Sequence, residues 1–278
     1  MIGLFHETFP YQVTIMLSEF SVHVYIYVEL KQKNSYNSNM IKCVVPVSGG
    51  LDSTVIMHMA IEKGLLVHAV TFNYGQRHYK NEMERAISSC ESSLVETHKI
   101  IDLTFFREIV NTSSLTNDDI DVAKTRDVLG DPQTVNYVPN RNMMMLSICS
   151  AYAESLGASI VFHGSALVDS QAGYWDGSIE FIEAINNVNA LNRRDRVNIE
   201  APLIKLSKKQ IIQEGVRLGV DFTKTWTCYD GGDGVTAGCG ECPACSSRIQ
   251  GFLEAGYIDP IEYRRDIPWS KYNAKPIC

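Results

Sequence analysis

From Met40 onward the chain alternates between short apolar runs and stretches whose apolar positions recur at helical spacing. Cys43–Val47 is a continuous apolar run and predicts a strand; Ser53–Lys63 predicts a helix that Gly64 closes. Further strands are expected over Leu66–Phe72, His98–Leu103 and Ser159–His163, and further helices over Tyr79–Ser92, Met143–Leu156 and Ile179–Leu191. Ser207, with Gln210 three positions later, reads as a capping box ahead of a helix over Ile211–Leu218 that Gly219 ends. Asn111–Asn140 and Gly164–Gly177 are polar stretches longer than a simple connection requires, the mark of site-forming loops. Strands alternating with helices predict an α/β fold with a doubly wound parallel sheet. Ligands in such sheets sit beyond the carboxyl ends of the strands, where the strand order reverses. The loops at 48–53, 73–78 and 164–177 are therefore expected to converge on one crevice.

Residues 1–39 do not continue this pattern. SVHVYIYV at 21–28 has strand character, and KQKNSYNSN at 31–39 reads as a polar linker. Met40 directly precedes the first core strand, so the functional domain is expected over 40–225. Residues 1–39 are then an appendage or the product of an upstream start, and 226–278 a metal-binding C-terminal region packed on the domain.

Composition narrows the classes. The chain has 278 residues, 45% hydrophobic and 21% charged, as expected of a globular protein with a full core. A net charge of −7 argues against general nucleic-acid coating, and the cluster of Arg193, Arg194 and Arg196 reads as a solvated face. The first Lys or Arg is Lys31, so no positive n-region of a secretory signal is seen, and Glu19, His23 and Glu29 make Tyr11–Leu30 too polar for a membrane span. A reducing, cytoplasmic setting is expected.

The apolar run at 43–47 leads straight into SGGLDS at 48–53, the geometry of strand, glycine turn and helix start. Such a turn aims backbone N–H groups and a positive helix end at an anion. Ser48 and Ser53 add hydroxyls, and Asp52 is placed to approach a metal or its waters. The Gly-Lys-Ser/Thr ending of a Walker A loop is missing. SGGLDS resembles the pyrophosphate loop of the ATP pyrophosphatase superfamily, which implies an adenine nucleotide α-hydrolase-like fold and cleavage of ATP between its α- and β-phosphates.

Four of the eight cysteines crowd between 228 and 245. Cys239, Cys242 and Cys245 form two overlapping C-x-x-C steps, and Cys228 can complete a tetrahedron, which favours a closed, structural zinc knot over an iron–sulfur cluster or a redox pair. Cys43 and Cys149 are expected to be buried hydrophobes.

TFNYGQRH at 71–78, YVPNRN at 137–142, TCYDG at 227–231 and CGECPAC at 239–245 follow the loop in that order. Together they resemble the 7-cyano-7-deazaguanine synthase family, from about Met40 to about Ala255. The resemblance implies an ATP-dependent carbon–nitrogen ligase that converts 7-carboxy-7-deazaguanine and ammonia into the 7-cyano base. It implies ATP and Mg²⁺ at Val47, Ser48, Gly49, Gly50, Leu51, Asp52, Ser53, Thr54 and Val55, and Zn²⁺ at Cys228, Cys239, Cys242 and Cys245. Asp52, Ser53, Arg77 and His78 would act in catalysis. Tyr74, Gln76, Arg141, Asn142, Asp169, Tyr174 and Asp176 would meet the deazapurine. Asn142 is also read as a helix N-cap, and His163 as a near-core residue. The partners expected are the deazapurine substrate and ammonia, with no membrane, no general nucleic-acid binding and a homodimer allowed for.

Five positions depart from the family pattern. Asn73 stands where Asp is usual and Asn140 where Gly is. In the loop after the fourth strand Asp169, Gly173, Tyr174 and Asp176 match, whereas Trp175, Gly177 and Ser178 replace Pro, Cys and Arg. The lost Arg leaves the acceptor open, with a relative that amidates or conjugates a deazaguanine as one alternative and a non-catalytic nucleotide binder as another.

Overall fold

The structure, a computed structural model, describes residues 28–31, 40–127, 134–167, 169, 174–231 and 235–277. The strand expected over 21–28, the linker at 31–39 and Gly173 lie outside them, save for Val28 and Lys31.

Five strands form a parallel sheet. They are β2 (Lys42–Pro46), β3 (Leu66–Asn73), β4 (Val95–Asp102), β5 (Ile160–Phe162) and β6 (Asn198–Glu200). The spatial order is β1-β4-β3-β2-β5-β6, with β1 (Val28–Lys31) added antiparallel on the edge of β4. The chain runs outward from β2 in one direction through β3 and β4, and in the other through β5 and β6, so the order reverses between β2 and β5.

Alternation along β2 assigns its two faces. Cys43, Val45 and Val47 enter a core with α1 (Leu51–Glu62), α2 (Tyr79–Glu91), α6 (Lys208–Arg217) and α7 (Pro243–Ala255). Val44 faces a second core with α4 (Arg141–Leu156) and α5 (Ile179–Asn189). Both faces are apolar because helices cover both, which is the requirement of a parallel sheet. The doubly wound α/β fold expected from the pattern is therefore the fold observed. Cys43 and Cys149 are fully buried, and burial pushes the Cys43 thiol up to about 12.

Local signals set the helix ends. Ser207 and Gln210 form the full capping box of α6. Gly64 and Gly219 follow α1 and α6 at φ of +73° and +71°. Ser178 caps α5 by accepting the Phe181 N–H. Three elements were not expected. A short α3 (Phe106–Ile109) follows β4, β6 has three residues and no alternation to read, and α7 starts inside the cysteine steps with Pro243 in its first turn. β4 also begins at Val95, three residues before the expected His98, because β3 pairs with it from Val95 onward.

The C-terminal segment is locked by a buried ion pair. Arg248 of α7 donates to Asp259 at 2.7 and 2.9 Å and to Thr225 Oγ1 at 2.8 Å, and Tyr263 donates its hydroxyl to the same Asp259. Both charges are almost wholly buried. Among the described residues no helix is long and apolar enough to cross a membrane.

Candidate functional site

The turn from β2 into α1 is held by its own hydroxyls. Ser53 Oγ accepts the Ser48 N–H at 3.2 Å and donates to the Gly50 carbonyl at 3.1 Å; Ser48 Oγ accepts the Gly50 N–H at 3.2 Å. Thr54 Oγ1 donates to the same Gly50 carbonyl, while Val47, Leu51 and Val55 are packed in the core beneath. Ser48 stays exposed at the rim and Asp52 lies in the first turn of α1. The first N–H groups of a helix have no intrahelical acceptor, so this turn presents free donors and a positive helix end.

Gly49 is required for a reason the sequence does not state. Its φ is +78°, and a Cβ there would lie 2.2 Å from the Glu82 carbonyl and 2.8 Å from the Ala86 nitrogen of α2. The close approach is to the protein's own helix. On its other side the Gly49 carbonyl accepts the Trp226 N–H at 2.8 Å.

Asp52 faces a residue that sequence reasoning passed over. Lys208, at the start of α6, donates to both Asp52 oxygens at 2.7 and 2.6 Å. Its stem passes over Gly251 of α7, where a Cβ would come within 2.4 Å of Lys208 Cγ. Asp169, in the loop after β5, lies within the field of Lys208, Asp52 and Arg141. Burial pushes its carboxyl above the usual range, opposed by Lys208 and by the Ala166 N–H it accepts at 2.8 Å. The loops after β2 and β5 therefore meet at the reversal of strand order, as expected.

The crevice wall beyond them is aromatic and charged. Arg141 opens α4 directly after Asn140, whose φ of +54° explains why glycine is usual there and why Asn is tolerated. The Arg141 guanidinium donates to the Tyr74 hydroxyl and to Asn142 Oδ1, both at 3.2 Å. Asn142 thus lies inside the helix holding Arg141; the N-cap position is Asn140. Asp176 is 3% exposed, on a tight turn at Trp175–Gly177, and His163 Nε2 lies 3.2 Å from its carbonyl. Burial pushes the His163 pKa down to about 4, so the ring is neutral and donates there. Tyr174 stacks on Tyr137, and Tyr229 lies against His78.

The segment after β3 divides in two. Gln76 accepts the Tyr74 N–H and donates to Glu82, and Glu82 also faces His78 Nε2 at 3.4 Å. Burial works to raise the Glu82 carboxyl, but His78 and Gln76 hold it below the usual carboxylate range. The Arg77 guanidinium instead donates to the Asn117 and Ile120 carbonyls, both at 2.9 Å, which ties down the 113–120 loop. Asn73 Oδ1 accepts the Gly75 N–H, a turn bond that Asp would make equally well.

The replaced residues of the loop after β5 fit one another. Trp175 packs edge-on against Phe181 and donates to the Tyr137 hydroxyl at 2.7 Å. A Cβ on Gly177 would meet Asp169 Cβ at 2.8 Å. Ser178 caps α5. Trp, Gly and Ser thus form a packed alternative to the usual Pro, Cys and Arg.

The Sγ atoms of Cys228, Cys239, Cys242 and Cys245 lie within 4.8 Å of one another. Metal–sulfur bonds of about 2.3 Å in a tetrahedron give edges of about 3.8 Å, and Cys239 and Cys245 are 3.9 Å apart. Backbone N–H groups of Cys239, Cys242 and Cys245 point at neighbouring sulfurs at 3.2 to 3.4 Å, which favours thiolates. Four soft ligands with no open position fit a structural zinc. Trp226 joins this knot to the turn from β2 into α1: its indole N–H donates to the Cys228 carbonyl at 2.8 Å.

A family model described as queuosine biosynthesis protein QueC matches residues 42–256. The 7-cyano-7-deazaguanine synthase of Psychromonas ingrahamii is 40% identical over 222 residues, 80% of this chain and 97% of that protein. That of Caldicellulosiruptor bescii is 41% identical over 231 residues, 82% of this chain and all of its own length. Among solved structures, the NMN synthetase from Francisella tularensis superposes at a TM-score of 0.44 with 19% identity, over 70% of this chain and 71% of that one.

Proposed function

The chain belongs to the queuosine biosynthesis protein QueC family, and from that membership we propose how its residues serve an ATP-dependent 7-cyano-7-deazaguanine synthase. The reaction takes 7-carboxy-7-deazaguanine, ammonia and ATP to the nitrile. A carboxylate resists ammonia until one oxygen becomes a leaving group. Attack of that oxygen on the α-phosphorus expels pyrophosphate and gives the acyl-adenylate. Ammonia then displaces AMP and loses a proton, leaving the amide. Adenylation of the amide oxygen, followed by loss of AMP and the remaining N–H protons, gives the nitrile.

The turn from Ser48 to Thr54 is the seat of the nucleotide phosphates. Its free N–H groups and the Lys208 ammonium face the charge that develops on pyrophosphate, in the manner of other pre-organised anion sites. Asp52 is the carboxylate from which Mg²⁺ would be held, and such a cation would supply further charge neutralisation there. Arg141, Asp169, Tyr174 and Asp176 form the side of the crevice that receives the base. Gln76, Glu82 and His78 form its floor, and Arg77 anchors the loop over it. The four cysteines hold zinc and stiffen the region carrying Trp226 and Tyr229.

The observation that supports this reading is that the Asp52–Lys208 pair and Arg141 both act on Asp169, as an anion-binding turn and a base-binding wall of one crevice would. Incubation with 7-carboxy-7-deazaguanine, ATP and ammonia tests it, with products read by mass spectrometry. The nitrile with release of AMP is expected. Amide accumulating without nitrile overturns the second activation, and absence of nucleotide cleavage overturns the assignment.

A further inference from the structure

Arg141 stands in the field of three carboxylates, those of Glu82, Asp169 and Asp176, yet no ion pair joins it to any of them among the described residues. Its hydrogen bonds go to neutral oxygens, the Tyr74 hydroxyl and Asn142 Oδ1. Asp176 is the complementary case. The residue is 3% exposed, and its carboxylate is met by its own backbone N–H but by no other described side chain. A buried carboxylate that no other side chain neutralises is costly, and one held in place by its surroundings suits a ligand that brings its own donors.

Asp176 is held. His163 fixes the carbonyl of its turn, Gly177 packs on Asp169, and Ser178 starts the following helix. Tyr74 and Asn142 orient Arg141 from two sides. The crevice thus offers a forked cation and, within its field, a buried carboxylate that it neither pairs nor hydrogen-bonds with.

We propose that these are the two poles of the base-binding slot: Arg141 takes the 7-carboxylate, and Asp176 accepts from the N1–H and the 2-amino group of the guanine edge. The assignment rests on the family reading above and deepens it. A guanidinium fork matches a carboxylate bidentately, and a carboxylate matches two adjacent N–H donors in the same way. An adenine edge presents an acceptor nitrogen beside its amine and would be repelled by Asp176. The slot therefore discriminates the acceptor base from the base of its own co-substrate.

Equilibrium binding of three bases tests it: 7-carboxy-7-deazaguanine, the same base lacking the 2-amino group, and 7-deazaguanine, which lacks the carboxylate. Wild type should lose about 10- to 100-fold on removal of either group. In Asp176→Asn the penalty for losing the amine should disappear, while that for losing the carboxylate remains. Arg141→Lys should weaken both carboxylated bases and leave 7-deazaguanine unchanged. ATP affinity and thermal midpoint, measured on each variant, should match wild type. Asp176→Asn that discriminates as wild type does, or Arg141→Lys that weakens all three bases alike, overturns the assignment. A wild-type protein that binds ATP but none of the bases overturns the functional reading itself.

Discussion

Lys208 Nζ lies 2.6 and 2.7 Å from the two carboxylate oxygens of Asp52, a contact across 156 positions of sequence at the start of helix α1. The lysine is 14% exposed and the aspartate 28%, so the pair is only partly screened. Its worth to folding is about 1 kcal/mol or less, since exposed and half-exposed pairs contribute little. Its worth to a reaction that expels pyrophosphate is larger, because removal of one pre-organised charge donor costs about 100- to 1,000-fold in rate.

Lys208→Ala is accordingly expected to lower kcat/KM for ATP by about 100-fold or more, with the unfolding midpoint almost unchanged. Steady-state kinetics beside a urea titration make the comparison. Turnover within threefold of wild type would remove Lys208 from the nucleotide site.

Gly49 and Gly64 separate backbone strain from collision. Both have φ above +70°, but a Cβ at Gly64 meets nothing within 4 Å, whereas one at Gly49 meets the Glu82 carbonyl at 2.2 Å. Gly64→Ala should cost about 1–2 kcal/mol, the left-handed penalty alone, and leave ATP affinity unchanged. Gly49→Ala should cost more and weaken ATP at least tenfold, because the turn must move. Equal effects from the two substitutions would contradict the packing described.

Arg248→Met should destabilise by about 3–5 kcal/mol, because it strands the buried Asp259 carboxylate. The double variant Arg248→Met/Asp259→Leu should recover part of that loss. Urea unfolding followed by fluorescence gives both values. A double variant no more stable than the single one would show that Asp259 is satisfied without Arg248.

Three buried histidines set a pH dependence. Burial pushes His68, His98 and His163 down to about 4 from an ordinary 6.5. Between those values the unfolded chain binds protons that the folded chain refuses, so stability falls as pH falls, by about 1.4 kcal/mol per pH unit for each fully coupled ring. Asp169 and Asp176, whose carboxyls burial pushes up, act in the opposite sense in the carboxylate range. The urea midpoint should be flat from pH 8 to 7 and fall between 6.5 and 5. A midpoint that holds or rises over that interval would show that the rings are protonated when folded.

Much of the architecture could be read along the chain because its segments agree with their surroundings. The β2–α1–β3–α2 run has strong periodicity, and the capping box at Ser207 and the glycines at 64 and 219 mark helix ends locally. β6 escaped notice because three residues cannot show a period, and α7 because cysteine spacing dominated its first turn. Tyr74, Gln76, Arg141, Asp169 and Asp176 could be singled out from motif and position. Lys208 could not, since a lysine at the start of a helix reads as a solvated charge until the fold brings Asp52 beside it. Glu82 was hidden likewise on a charged helix face, and it faces the crevice only through its bonds to Gln76 and His78. The glycine turn at Gly49 can be read from SGGLDS, but its obstacle is helix α2, which no local pattern reveals.

Trp226 bridges the turn and the cysteine cluster by hydrogen bonds to two main-chain carbonyls: its amide donates to that of Gly49 and its indole to that of Cys228. A cation held by the four sulfurs and a nucleotide held by the turn would therefore act on a shared element. Linkage makes such an effect reciprocal. If metal binding tightens the hold on ATP through Trp226, ATP must slow the loss of the metal by the same free energy. Nucleotide supply would then help decide how long the protein keeps its zinc.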